Sequence, residues 1–109
     1  MQCYFMLTYS VHQSIASSQQ AKESADSVRG KIAELKLKSD WIKLDHIETT
    51  FTGVLSVTGT DEDDRKAQAR KQICEKIKPI LKEEPEKYRP TVNVALMLEY
   101  NGRFIEFEV

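Results

Sequence analysis

Two helix-period stretches set among strand-like runs predict an α+β domain, an antiparallel sheet backed by helices on one face. Three observations carry this prediction. Ala21, Ala25, Val28, Ile32 and Leu35 recur at helical spacing, and so do Ala69, Ile73, Ile77, Ile80 and Leu81. Around them lie "CYFMLTY" and "FTGVLSV", rich in β-branched and aromatic residues. The chain closes on "TVNVALMLEYNGRFIEFEV", two alternating runs around Asn-Gly, the preferred pair for a two-residue hairpin turn.

The first strand spans about Cys3 to Tyr9 and is apolar on both faces, which fits a central position. A helix is expected from about Ser18 to Lys38. Ser17 and Gln20 have capping-box spacing at its start, and Lys36 and Lys38 suit the negative end of its dipole. Gly30 inside this helix costs about 1 kcal/mol relative to alanine, so close packing against the sheet is expected there. Two strands follow, Trp41 to Ile47 and Phe51 to Thr58, joined through "HIETT" as an antiparallel hairpin. The run Asp61-Glu62-Asp63-Asp64 opens a second helix near Thr60, because carboxylates suit the positive helix end. Pro79 interrupts the apolar line of that helix, so a kink or break is expected.

In the terminal hairpin a two-residue loop sets Tyr100 opposite Arg103, Leu98 opposite Ile105, Leu96 opposite Phe107 and Val94 opposite Val109. One face is then apolar. The other carries Glu99, Glu106 and Glu108 beside Ala95, Met97 and Phe104. The first six elements follow the split βαβ order, so the chain is read as one ferredoxin-like βαββαβ domain with an additional C-terminal strand. The first and third strands are central in that topology. The last strand either extends the sheet or crosses to a partner, and a homodimer is expected.

At 109 residues, with a formal charge of -1 from 16 basic and 17 acidic side chains, the chain lacks the basic excess of a dedicated nucleic-acid binder. Any such role must rest on a local patch. Cys3 and Cys74 have no metal-ligand spacing and read as small packed apolar groups. No secretory leader or membrane span is visible, so the expected setting is the cytoplasm, without a membrane partner.

The corner Tyr9-Ser10-Val11-His12 lies where the first strand feeds the first helix, a common place for function. Ser10 and His12 fall on the same side of an extended chain and could act as nucleophile and base. His46 could share acid–base work, oriented by Asp45 or Asp40, but it shares a strand face with Ile42 and Leu44, which favours a packed or edge-facing histidine over that role. A metal site from His12, His46 and Asp45 would need convergence that no local spacing predicts, and no metal or cofactor is expected. Arg65, Lys66, Arg70 and Lys71 recur along the second helix, either as a solvated face or as a phosphate-contacting stripe. On the sheet side, Glu99, Glu106 and Glu108 would repel phosphates, so RNA recognition there is disfavoured. With Phe104 they suit a protein partner or a second subunit.

The opening strand "YFMLTYSVHQS", with its Tyr-x-Val ending, and the pair "WIKLDHIETTFTGVLSV" resemble a group of small ferredoxin-like proteins: the CRISPR-associated adaptation subunit and its relatives among toxin–antitoxin endoribonucleases. The resemblance covers roughly the first 60 residues, then element order only. It implies a dimer that binds nucleic acid. Members of that group carry an aspartate after the aromatic residue that ends the first strand, where paired subunits bring two carboxylates to a metal. This chain has Ser10 there, a poor ligand for a hard cation. Two functions follow from these readings. One is a nucleic-acid-associated protein of a prophage, defence or toxin–antitoxin system, an RNA-binding or RNA-cleaving dimer. The other is a non-enzymatic inhibitor or assembly module that binds protein through its acidic hairpin.

Overall fold

The computed structural model describes residues 2–35 and 40–109. In chain order the described elements are β1 (Gln2–His12), α1 (Gln19–Ala33), β2 (Ile42–Lys43), β3 (Thr50–Ser56), α2 (Glu62–Lys82), a 3-10 turn (Glu86–Tyr88), β4 (Thr91–Leu98) and β5 (Ile105–Glu108). The strands form one sheet in the order β2-β3-β1-β4-β5, and every neighbouring pair is antiparallel. β5 pairs with β4 of its own chain, so the last strand extends the sheet.

β1 alternates exposed and buried residues along its whole length. Cys3, Phe5, Leu7, Tyr9 and Val11 point toward the helices and share one core with Val28, Ile32, Ile73 and Ile77. The five positions expected to line the second helix, Ala69 through Leu81, are all buried. Cys3 is buried and Cys74 packs against the core, both as free thiols. An aromatic group fills the β1–β3 end of this core. The Phe5 and Trp41 rings meet edge to face at 5.4 Å, Trp41 lies 5.5 Å from Phe51, and Tyr9 stacks on Phe51 at 6.1 Å. Gly53 is opposite Phe5, and a Cβ there would come within 2.7 Å of the Phe5 ring. That glycine makes room for the aromatic contact.

Several local expectations are corrected. The N-cap of α1 is Ser18, whose hydroxyl accepts from the Ala21 amide at 3.2 Å, so the cap lies one residue beyond Ser17. The regular helix ends at Ala33; Lys36 and Lys38 lie outside the described residues. Gly30 is exposed, and a Cβ on it would meet nothing within 4 Å, so close packing does not account for it. β2 is two residues long instead of seven, because the chain turns through Asp45 and His46 before rejoining the sheet at Thr50. α2 starts behind Asp61, whose carboxylate accepts from the Asp64 amide at 2.8 Å. It runs through Pro79 to Lys82 without a break. Pro79 is exposed in the last turn, where the ring faces water and only one intrahelical bond is forfeited.

The hairpin register differs from the expected one by two residues: Leu96 pairs with Ile105 and Val94 with Phe107. A shift of two preserves the faces, so Val94, Leu96, Leu98 and Phe107 are buried while Glu106 and Glu108 are exposed. The cause is Asn101. Instead of standing at a turn tip it is 1% exposed, its Oδ1 accepting from Arg65 Nε at 2.6 Å and its Nδ2 donating to the Glu99 carbonyl at 2.6 Å. This tertiary anchor draws the loop out to six residues, 99–104, and holds Tyr100 at a φ of 61°.

The two helices are joined through Glu84. Its carboxylate accepts from Ser24 at 2.9 Å and Ser27 at 3.2 Å, and Lys31 bridges it and Glu83. Arg89 donates to the Leu81 and Glu84 carbonyls and so closes the end of α2. Among the described residues no helix is long and apolar enough to cross a membrane.

Candidate functional site

Because both helices cover one side of the sheet, the other side is open. Its strand positions expose the apolar residues Tyr4, Met6, Ile42, Val54 and Met97, with Tyr4 66% and Met97 52% accessible. Met6 lies directly across from Met97 on β4 and from Thr52 on β3, and Ile42 lies across from Thr52. The side chains therefore form one patch across β2, β3, β1 and β4, and depressions on either side share Met6 and Met97. Sets of exposed apolar side chains that adjoin in this way mark interaction surfaces more than scattered ones do. The acidic residues border it. Glu106 and Glu108 are exposed on β5, Phe104 is exposed just before it, and Glu99 is half-buried after β4. The strand positions on this face carry no lysine or arginine. The patch was partly legible: β1 is apolar on both faces, and only one face of a sheet with helices on one side can be covered.

Ser10 and His12 are adjacent on the same open face, with Ser10 Oγ 3.1 Å from His12 Nε2. Asn93 and Thr91 lie across the ladder from them on β4. The expected proximity is present, yet no carboxylate among the described residues hydrogen-bonds the imidazole to orient it, and the pair stands exposed to water. His46 lies in the turn after β2, exposed, not on a strand face with Ile42 and Leu44. No group of three or more His, Cys, Asp or Glu among the described residues is arranged to hold a metal ion.

The basic residues of α2 are mostly engaged within the chain. Arg65 holds Asn101, Lys66 pairs with Glu62 at 2.7 Å, and the Arg70 guanidinium sits 5.1 Å over the Phe107 ring. Lys71 is exposed. Three of the four cations are thus committed to helix, loop and strand packing.

Two groups outside the open face are held away from their ordinary pKa values. Burial, reinforced by the Glu48 carboxylate, raises the Tyr9 hydroxyl above 10.0, while Arg29 works in the opposite sense. The hydrogen bond to Glu83 raises Lys31 above 10.5. In the fold both keep their protons longer than in the unfolded chain, so each contribution is fully present below the ordinary value and is lost as pH rises through the folded one. Denaturant melts of wild type and Tyr9→Phe across pH are expected to keep a constant separation below pH 10.0. Above it, wild type should lose stability relative to the variant. A constant separation throughout would place the Tyr9 hydroxyl in water.

No protein-family model, curated protein or solved structure matches this chain.

Proposed function

We propose that this chain is a non-enzymatic protein-binding module whose interface is the open face of the sheet. The observation that carries it is the continuous exposed apolar patch bordered by Glu106 and Glu108. Burying that patch removes apolar side chains from water, and the anionic margin selects for a partner with lysine or arginine around an apolar centre. A second copy would bring the same anionic margin, so the charge pattern favours a basic partner over a homodimer through this face. The strand order β2-β3-β1-β4, with both helices on one side, supports a ferredoxin-like reading of the first six elements, with β5 added beyond β4.

The Ser10–His12 contact favours a second reading, a nucleic-acid-associated protein with RNA-cleaving capacity of the prophage, defence or toxin–antitoxin kind. Affinity capture from native extract, scored separately for protein and nucleic acid, distinguishes the two. The first reading expects a protein that is lost on Met97→Asp and on Glu106→Lys with Glu108→Lys, but kept on Lys71→Glu. Captured RNA that is lost on Lys71→Glu and indifferent to Met97→Asp would overturn it. Sedimentation of the pure chain reports whether the patch seats a second copy instead.

A further inference from the structure

β5 ends the strand order, and among the described residues it pairs with β4 alone. The Val109 amide donates to the Val92 carbonyl at 2.9 Å, a bond that fixes the phase of this ladder. In an antiparallel pair, residues whose amide and carbonyl face the neighbouring strand alternate with residues whose groups face away. Ile105, Phe107 and Val109 therefore bond toward β4, while the amides and carbonyls of Glu106 and Glu108 point outward. Among the described residues nothing bonds to them. Sheet edges are blunted by proline, by a bulge or by charge. Here Ile105–Glu108 contains no proline, and its four pairs follow one another without a bulge. Only the two exposed carboxylates guard this edge.

Those carboxylates discriminate between incoming strands. Antiparallel pairing with β5 of a second copy, about an axis at Glu106, Phe107 or Glu108, always sets a glutamate across from a glutamate, which is destabilising. A strand with lysine or arginine at those positions is stabilised instead. The helix side has the opposite preference. Beside β5 a groove of about 430 Å³ runs along α2, lined by Arg70, Lys71, Cys74, Glu75, Lys78 and Val109, among others. Three cations outnumber Glu75 on its helix wall, while Cys74 and Val109 give it a partly buried apolar floor. An added strand sends alternate side chains to the two sides, so its basic residues are confined to every second position. We infer that β5 accepts a sixth strand from a partner protein. That strand is an extended segment with lysine or arginine on the open-face side and apolar residues over Cys74 and Val109, bonded through the Glu106 and Glu108 backbone. The inference rests on the protein-binding reading and names the element its partner contributes.

The test is amide-resolved NMR of the full chain titrated with the end-blocked peptide Lys-Val-Lys-Val-Lys and, separately, with its isomer Lys-Lys-Val-Val-Lys. Saturable binding of the alternating peptide is expected, with the isomer about tenfold weaker or more. At saturation the Glu106 and Glu108 amides should exchange with solvent about tenfold more slowly than in the free chain. Glu106→Pro removes an outward amide without breaking a bond to β4, a position where an edge strand tolerates proline. Its thermal midpoint should stay near that of wild type while binding weakens about tenfold or more. Should that variant lose its fold, Glu106→Lys with Glu108→Lys keeps the edge backbone and should transfer binding to Glu-Val-Glu-Val-Glu. The added strand is ruled out if the alternating peptide does not saturate or if the isomer binds equally. It is also ruled out if the two amides exchange as in the free chain, or if Glu106→Pro binds as wild type does. A partner captured from extract that is lost on Met97→Asp and kept on Glu106→Pro would remove the added strand and leave the open-face interface standing. The reverse pattern would remove the open-face interface alone.

Discussion

Phe51→Ala is expected to destabilise the fold by about 3–5 kcal/mol, the usual cost of truncating a fully buried phenylalanine. Phe51 is fully buried, with the Tyr9 ring stacked on one side and Trp41 tilted against it on the other. Neither neighbour can close the gap, because Trp41 is already held against Phe5 and Tyr9 is fixed by its place on β1. For a domain of this size the total stability is on the order of 5–15 kcal/mol, so the melting temperature should fall by on the order of 15 °C. Urea unfolding followed by Trp41 fluorescence measures the loss. A change below about 1 kcal/mol, the scale of an ordinary surface substitution, would mean the aromatic group does not anchor the core.

Asn101→Ala should cost about 2–4 kcal/mol, because one charge-assisted and one neutral hydrogen bond are lost together and their partners are left half-buried. Arg65 Nε would lose its 2.6 Å acceptor, and the Glu99 carbonyl would lose the amide that donates to it. Arg65 would keep only a 3.4 Å contact to the Gly59 carbonyl. A double-mutant cycle with Arg65→Ala isolates the pair, and a coupling of about 1–2 kcal/mol is expected. Independent, additive losses would show that the loop is held by its own backbone and not by α2.

Much of this architecture was readable from residue pattern. The buried line of α2, the buried side of β1 and the two faces of the last hairpin all follow from period, since a repeat of 3.6 or of 2 fixes which side chains share a side. The hairpin register was not readable. Asn-Gly is a strong local turn signal, and locally it outranks alternatives; the winning term is Arg65, 36 residues away in sequence. Pro79 likewise signals a break, but its cost depends on lying in the last turn and facing water. Of the candidate site residues, Ser10 and His12 were placed together by strand periodicity alone, and they do touch. The engagement of Arg65, Lys66 and Arg70 was hidden because a helix-face pattern does not say what packs across from it.

The sequence by itself determined the α+β class, the helix cores and the apolar and anionic sides of the terminal ribbon, because these depend only on spacing along one element. Tertiary structure alone decided that the hairpin slides by two residues, that Arg65 reaches Asn101, and that the Glu84 carboxylate ties the end of α2 to Ser24 and Ser27 of α1. Each of these depends on groups far apart in the chain, brought together by burial of the core, and no local period records which distant side chain will reach which backbone.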